Sequence, residues 1–221
     1  MRFQIESLLP TEQISSWRGR LLAPEVQWRP GQETAGWHAR SVKHNRQLER
    51  ASALHQELAQ QVHQALLAHP LLASAALPAR IHGLLFSRSG AGEGYGRHVD
   101  NAFMAEGRSD LSFTLFLSEP GTYAGGALVL ESPHGEEAIR LGAGDVIVYP
   151  STLLHRVESV TAGDRLVCVG WIQSRLRSAE QRELLFELDT ARRTVFSQEG
   201  KGEVFDLLSR SYTNLLRMWG D

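Results

Sequence analysis

The chain has 221 residues, with 23 lysines and arginines set against 25 aspartates and glutamates for a net charge of −2. That balance, with no basic run interleaved by aromatics, leaves no footprint for a nucleic-acid partner. No apolar stretch approaches the roughly eighteen residues of a membrane span, and "MRFQIESLLP" lacks an apolar signal region, so we expect a cytoplasmic protein with no membrane partner.

From Pro10 to about Leu22, the residues Ile14, Trp17 and Leu21 recur at helical spacing, and Pro10 suits a first turn. Prolines and glycines break any period between Ala23 and Arg46, where "VQW" (26–28) and "HARSVK" (38–43) offer only short strands. Leu48, Leu54, Leu58, Val62 and Leu66 then form one stripe, which predicts a long helix from Gln47 to His69 that Pro70 helps to end. After Pro78 the pattern changes to short apolar runs: "IHGLLF", "LSFTLFLS", "ALVLE", "EAIRL", "DVIVYP", "LLHRVESV" and "RLVCVGWI". Turn residues in "EPGTYAGG", "PHGE", "LGAGD" and "TAGD" separate these runs, which argues for a β-sandwich or barrel rather than βαβ units.

Helical period returns at Ser178, which forms a capping-box pattern with Gln181 ahead of Leu184, Leu185 and Leu188. "TVFSQEGKG" (194–202) reads as a linker. A last helix carries Phe205, Leu208, Tyr212, Leu215 and Trp219 on one side, to pack on the barrel or on a second subunit, which leaves a homo-oligomer open. The single Cys168 has no disulfide partner and sits in an apolar run, as a small core residue would. The expected division is an N-terminal helical segment (1–77), a β core (78–177) and a C-terminal helical extension (178–221).

Three His-x-acid pairs occur. His55 and Glu57 fall inside the long predicted helix, where side chains two apart diverge and cannot grip one ion, so they are expected on a solvated face. His134 and Glu136 sit on a hairpin tip. His98 and Asp100, in "GYGRHVDN", instead follow a candidate strand and precede most of the β region, so two donors can converge there if a third arrives from elsewhere. His155 in "YPSTLLHRVESV" offers that third donor, completing the composition of a facial triad of two histidines and one carboxylate, which suits non-haem Fe(II) and oxygen activation. Ten residues on, Arg165 shares a strand face with Val167, Val169 and Trp171. If that face is interior, the guanidinium needs an anion, either a protein acid or a ligand carboxylate that its planar fork would match. Thr114, on a face with Ser112 and Phe116, is placed to offer a hydroxyl to the same carboxylate, and Tyr95 to line the entrance.

The segments "GYGRHVDN", "DLSFTLFLSEP", "YAGGALVL", "LGAGDVIVYPSTLLHRV", "GWIQS" and "LLFELD" resemble the bacterial PKHD-type hydroxylases (PiuC-type), within the Fe(II)- and 2-oxoglutarate-dependent dioxygenases that include prolyl hydroxylases. The resemblance runs from about residue 78 to the end. It implies a double-stranded β-helix (jelly-roll or cupin-like) with flanking helices, and iron on His98, Asp100 and His155. It also implies 2-oxoglutarate chelating the iron, with its distal carboxylate on Arg165. Two departures stand out: Ser89 where the family often has tyrosine, and a short segment between Asp100 and Asp110. The implied activity is hydroxylation of an unactivated C–H bond with release of succinate and carbon dioxide, using O2 and with ascorbate as an accessory reductant to test. Protein side chains and small molecules both remain open as the primary substrate. The rival readings are a cupin-like metalloenzyme that does not use 2-oxoglutarate, with Arg165 paired to a protein carboxylate, and a binding module that senses iron or 2-oxoglutarate.

Overall fold

Strand alternation decides which side chains face each layer. In the strand Leu111–Phe116, Leu111, Phe113 and Leu115 join the main hydrophobic cluster, whereas Ser112 and Thr114 line a cavity and Phe116 packs in a second cluster. The strand Arg165–Ser174 repeats the division, with Leu166 and Cys168 on the first face and Arg165, Val167 and Val169 on the cavity face. Both faces are buried, so these strands read as near-continuous apolar runs.

The computed structural model describes every residue except His38 and Ala105. Seven antiparallel strands form the larger sheet, in the order Phe3–Ile5, Val146–Pro150, Leu111–Phe116, Arg165–Ser174, Pro78–Ser89, Arg46–Leu48 and Trp28–Pro30. A five-stranded sheet, ordered Gly135–Ile139, Leu128–Ser132, His155–Val157, Gly94–His98 and Lys43–His44, completes a double-stranded β-helix. Helices α1 (Thr11–Leu21), α2 (Ala53–Ala68) and α3 (Pro70–Ala76) set Ile14, Trp17, Leu58, Val62, Leu66 and Leu72 on the outer face of the larger sheet, against Phe86, Phe113 and Leu115. Burying each such side chain is worth about 1.5–3 kcal/mol. Helices α4 (Ala179–Glu199) and α5 (Glu203–Trp219) follow the core, and Leu185 packs with Leu77, Leu176, Tyr212, Leu215 and Trp219. No described helix is long and apolar enough to cross a membrane.

Several boundaries differ from the sequence expectation for identifiable reasons. The long helix starts at Ala53, because Arg46 and Gln47 are held in the sheet opposite Arg88 and Ser87 and the Ser52 hydroxyl caps the helix by accepting from the His55 amide at 3.2 Å. Pro70 opens α3 as its first residue, where its missing N–H costs nothing. Pro10 likewise sits just outside α1, at its N-cap. "VQW" overlaps the strand Trp28–Pro30 only at Trp28. In "HARSVK" His38 lies outside the described residues, Arg40–Val42 is a 3-10 turn, and only Lys43 enters a strand. The expected linker is mostly helical: α4 continues to Glu199, Phe196 meets Phe205 at 4.9 Å between ring centroids, and the break falls at Gly200 with φ 72°.

The glycine pair of "YAGG" marks a register shift where Tyr123–Gly125 pairs with Val160–Gly163. Gly125 has φ 69°, and a Cβ there would lie 2.3 Å from the Ser159 carbonyl oxygen. We expect Gly125→Ala to cost about 2–3 kcal/mol through left-handed strain and backbone clash. That is a fall on the order of 4–12 °C in Tm for a chain of this size; an unchanged thermal unfolding curve would show that the turn adapts freely.

Candidate active site

His98 ends the strand Gly94–His98 and lies directly opposite His155, the first residue of His155–Val157. Asp100 follows two residues later, where the chain has left the strand, so its carboxylate turns back over the pair. Ligating atoms of the three residues all lie within 4.8 Å of one another. Asp100 Oδ1 stands 3.9 Å from Nε2 of each histidine.

The ring orientations are fixed from behind. His98 Nδ1 meets the Gly96 carbonyl at 2.8 Å, and His155 Nδ1 meets the Leu153 carbonyl at 3.0 Å. Donation from Nδ1–H in both places leaves each Nε2 lone pair facing the centre, the tautomer a metal ligand needs. Ser112 Oγ donates to Asp100 Oδ2 at 2.6 Å and is itself 2.7 Å from Ser151 Oγ, which leaves Oδ1 for an ion. Tyr95 stacks on His98 with centroids 3.6 Å apart, and Tyr149 meets His155 edge-on at 5.4 Å. Burial, followed by the repulsion of His155, pushes the His98 pKa down to about 4. The His98 ring is therefore neutral at physiological pH and ready to coordinate.

Arg165 projects into the same cavity, of about 230 Å³, together with Thr114, Tyr149 and Ser89. It is 3% exposed, lies over the Phe116 ring at 5.5 Å, and makes no ion pair among the described residues; its Nε has no hydrogen-bond partner. Burial lowers its pKa, but a guanidinium keeps its charge in proteins. A buried cation without an acid calls for an external anion. The donor set and this guanidinium without a paired acid fit an Fe(II) ion with a carboxylate-bearing chelator beside it.

His98, Asp100, His155, Arg165, Thr114 and Tyr95, all singled out from sequence, therefore meet around one cavity. Ser89 lies opposite Arg165 in the strand pairing. Cys168 is fully buried on the other face, and burial raises its thiol pKa. His134 and Glu136 are exposed and do not line the cavity, with Glu136 held by Arg156. One expectation fails: His55 is not on a solvated face. Its ring is buried, with Nε2 3.0 Å from the Leu84 carbonyl and an edge contact to Phe86, because residues two apart on a helix diverge and only Glu57 points outward. Sequence reasoning missed Tyr149, Ser112 and Lys43. The alternation of "DVIVYP" could have placed Tyr149 on the interior face with Ile147, and Ser112 shares the face of Thr114.

The family model of the 2OG-Fe(II) oxygenase superfamily matches residues 84–173, and that of the PKHD-type hydroxylase C-terminal domain matches residues 180–221. A PKHD-type hydroxylase of Prochlorococcus marinus (strain MIT 9313) is 52% identical over 213 residues, covering 96% of each chain. Another, from Synechococcus elongatus, is 51% identical over 225 residues and covers 100% of both. The chain belongs to the PKHD-type hydroxylases. It is thus an oxygenase enzyme of the 2OG-Fe(II) superfamily. In fold this PKHD-type hydroxylase is similar to a prolyl-4-hydroxylase of Pseudomonas putida, with TM-score 0.54 and 21% identity over 79% of this chain and 92% of that one. It is also similar to HygX from Streptomyces hygroscopicus, solved with nickel, 2-oxoglutarate and hygromycin B, with TM-score 0.57 and 15% identity over 78% and 82% of the two chains.

The depressed pKa of His98 has a thermodynamic sign. A histidine kept neutral by the fold takes up its proton more readily when unfolded, so the unfolded state binds more protons below its ordinary value of about 6.5. Stability from this group is fully present above pH 6.5 and is lost as the pH falls through about 4. Metal-free protein should lose unfolding free energy across that window, by about 1.4 kcal/mol per unit of depression. His98→Gln should flatten the slope; equal slopes in chelator-treated wild type and variant would exclude His98 as its source.

Proposed function

We propose that this PKHD-type hydroxylase inserts oxygen into an unactivated C–H bond of its substrate while converting 2-oxoglutarate to succinate and carbon dioxide, with His98, Asp100 and His155 holding Fe(II). Arg165 carries the reading, because a guanidinium buried in the metal-facing cavity with no protein acid is the partner that a distal carboxylate requires. When bound, Fe(II) and 2-oxoglutarate supply the oxidative chemistry, in which one atom of O2 goes to the substrate carbon and the other to succinate.

The protein's own part is positioning and exclusion of water. His98 and His155 present their Nε2 atoms from adjacent strands, with each Nδ1 committed to a backbone carbonyl. Ser112 holds Asp100 by one oxygen, so that the carboxylate offers the other without rotating away. Thr114 and Tyr149 line the cavity with Arg165 and offer hydroxyls to the cosubstrate. Tyr149 supplies the phenol that Ser89 lacks: both burial and Asp100 hold its proton on. Tyr95, stacked on His98, walls the substrate entrance. Ascorbate would keep the iron reduced between turnovers, and an assay of succinate formation with and without it tests that role.

Two anaerobic titrations test the assignments. With Mn(II) as a redox-inert ion, His98→Ala, Asp100→Ala and His155→Ala should abolish tight binding, and Ser112→Ala should weaken it about 10–100-fold as an outer-shell partner. His55→Ala and His134→Ala should leave it intact. Wild-type affinity in His155→Ala would remove the triad.

2-Oxoglutarate titrated into Mn(II)-loaded protein reads the second assignment. Arg165→Lys keeps the charge but loses the planar fork and should weaken the cosubstrate more than the ion. Arg165→Ala should cost about 2–5 kcal/mol of cosubstrate affinity. If both variants bind 2-oxoglutarate as the wild type does, Arg165 is structural and the cupin-like rival gains.

A further inference from the structure

Lys43 is the second buried cation of the cavity, and neither metal nor cosubstrate accounts for it. It sits on the edge strand Lys43–His44, opposite Tyr95 in the pairing, and is 6% exposed. Its ammonium donates to Thr34 Oγ1 at 3.0 Å and lies 5.1 Å from the centre of the Tyr95 ring, whose stacking contact is His98. No carboxylate pairs with it among the described residues. Thr34 Oγ1 in turn approaches Gln47 Oε1 at 2.6 Å. With that oxygen occupied, the amide NH2 of Gln47 has no protein acceptor among the described residues, although Gln47 is 4% exposed and lines the cavity. Lys43 and Gln47 thus share one wall, the ammonium with Thr34 as a neutral acceptor and no carboxylate, and the amide NH2 without a protein acceptor, in a setting where a charge lacking a counter-ion is costly.

Charge points the same way. Among the cavity's ionised groups Arg50 is cancelled by Glu106 at 2.8 Å, so Asp100, Arg165 and Lys43 leave a single excess positive charge. Fe(II) and dianionic 2-oxoglutarate cancel each other and do not remove it. Asp100, the one acid that favours the charged Lys43, would also be committed to the ion. Burial draws the ammonium down to about 8, so it stays mostly charged at neutral pH. A single positive charge flanked by a neutral amide matches a monoanion.

We propose that Lys43, with the amide of Gln47, forms a second anion subsite that binds a carboxylate of the primary substrate and so presents a C–H bond near that carboxylate to the metal. This rests on the assignment of Arg165 to 2-oxoglutarate. It makes the substrate an acid, and it makes Lys43 a specificity-determining residue one aromatic ring away from the triad.

The probes are short aliphatic monocarboxylates and the primary amides of the same skeletons, added under anaerobic conditions to Mn(II)- and 2-oxoglutarate-loaded full-length protein. Binding is read by calorimetry and by the rise in Tm. Carboxylates should bind the wild type at least about tenfold more tightly than their amides, a difference of about 1.4 kcal/mol. Lys43→Met, which keeps the stem and loses the charge, should erase that preference while leaving 2-oxoglutarate affinity within about twofold, and Lys43→Arg should retain part of it. Gln47→Leu, with the charge intact, should weaken carboxylates less than Lys43→Met does. If Lys43→Met fails to fold, the comparison of Lys43→Arg and Gln47→Leu with the wild type carries the test. Equal binding of carboxylates and amides to the wild type would overturn the proposal, as would an undiminished preference in Lys43→Met. Loss of 2-oxoglutarate binding in Lys43→Met would overturn it too, by moving Lys43 into the cosubstrate site. Failure of the wild type to bind 2-oxoglutarate at all would instead overturn the Arg165 assignment, and the two failures are therefore distinct.

Discussion

The register that sets His98 against His155 is the constraint on which the site depends. Residues directly opposite in an antiparallel pair have Cβ atoms about 4.5–5.5 Å apart, and here the two rings stand 4.2 Å apart between centroids. A slip of one residue would turn either ring to the other face of the sheet. The pairing is irregular between His155 and Val157, so neighbouring contacts must hold it. Leu130 opposite His155, and Leu128 and Val157 packed with Ile147 and Val167, supply that hold. Donor geometry thus follows from the apolar packing of these strands, and Asp100 needs only the turn after the strand to complete it.

Such a site is affordable because the fold keeps much of its hydrophobic core elsewhere. Helices α1 to α3 cover the outer face of the larger sheet, where Phe86, Phe113, Leu115 and Cys168 are fully buried. The inner face of the same strands is then free to carry Ser112, Thr114, Tyr149 and Arg165. An arginine without an acid destabilises the empty protein. That cost is tolerable only when packing on the other face of the same strand offsets it. Leu166 and Cys168, the alternate neighbours of Arg165 and Val167, show the two requirements met within four consecutive residues.

How much of this was legible followed from how each feature is encoded. The β core and the three donors were visible because strand runs and turn glycines follow one another in sequence, and a histidine two residues from an acid in such a context is rare enough to notice. Arg165 was visible because a charge inside an apolar alternating run contradicts its surroundings. Tyr149 was hidden because tyrosine is an ordinary strand former, and Lys43 because its segment has no period to contradict. The start of α2 was misplaced because Leu48 belongs to the helical stripe by spacing but to a strand by pairing with Trp28, which is a tertiary fact. His55 shows a different limit: the divergence of side chains two apart correctly denied it a shared ion with Glu57, yet said nothing of which one faced inward.

On the proposed assignments, the two buried cations also govern how the contents of the cavity depend on one another. Arg165 and Lys43 both oppose the arrival of a divalent cation at His98, Asp100 and His155, whereas Asp100 alone favours it. A dianion that engages both the ion and Arg165 removes more repulsion when the ion is present than when it is absent, so ion and cosubstrate must favour each other's binding by the same free energy. Once both are in place, Asp100 and Arg165 are committed to them and Lys43 is left as the charge without a counterpart, available to a substrate carboxylate. The distribution of charge on the cavity wall therefore keeps the two carboxylate positions apart, a dianion meeting Arg165 beside the ion and a monoanion meeting Lys43 behind Tyr95.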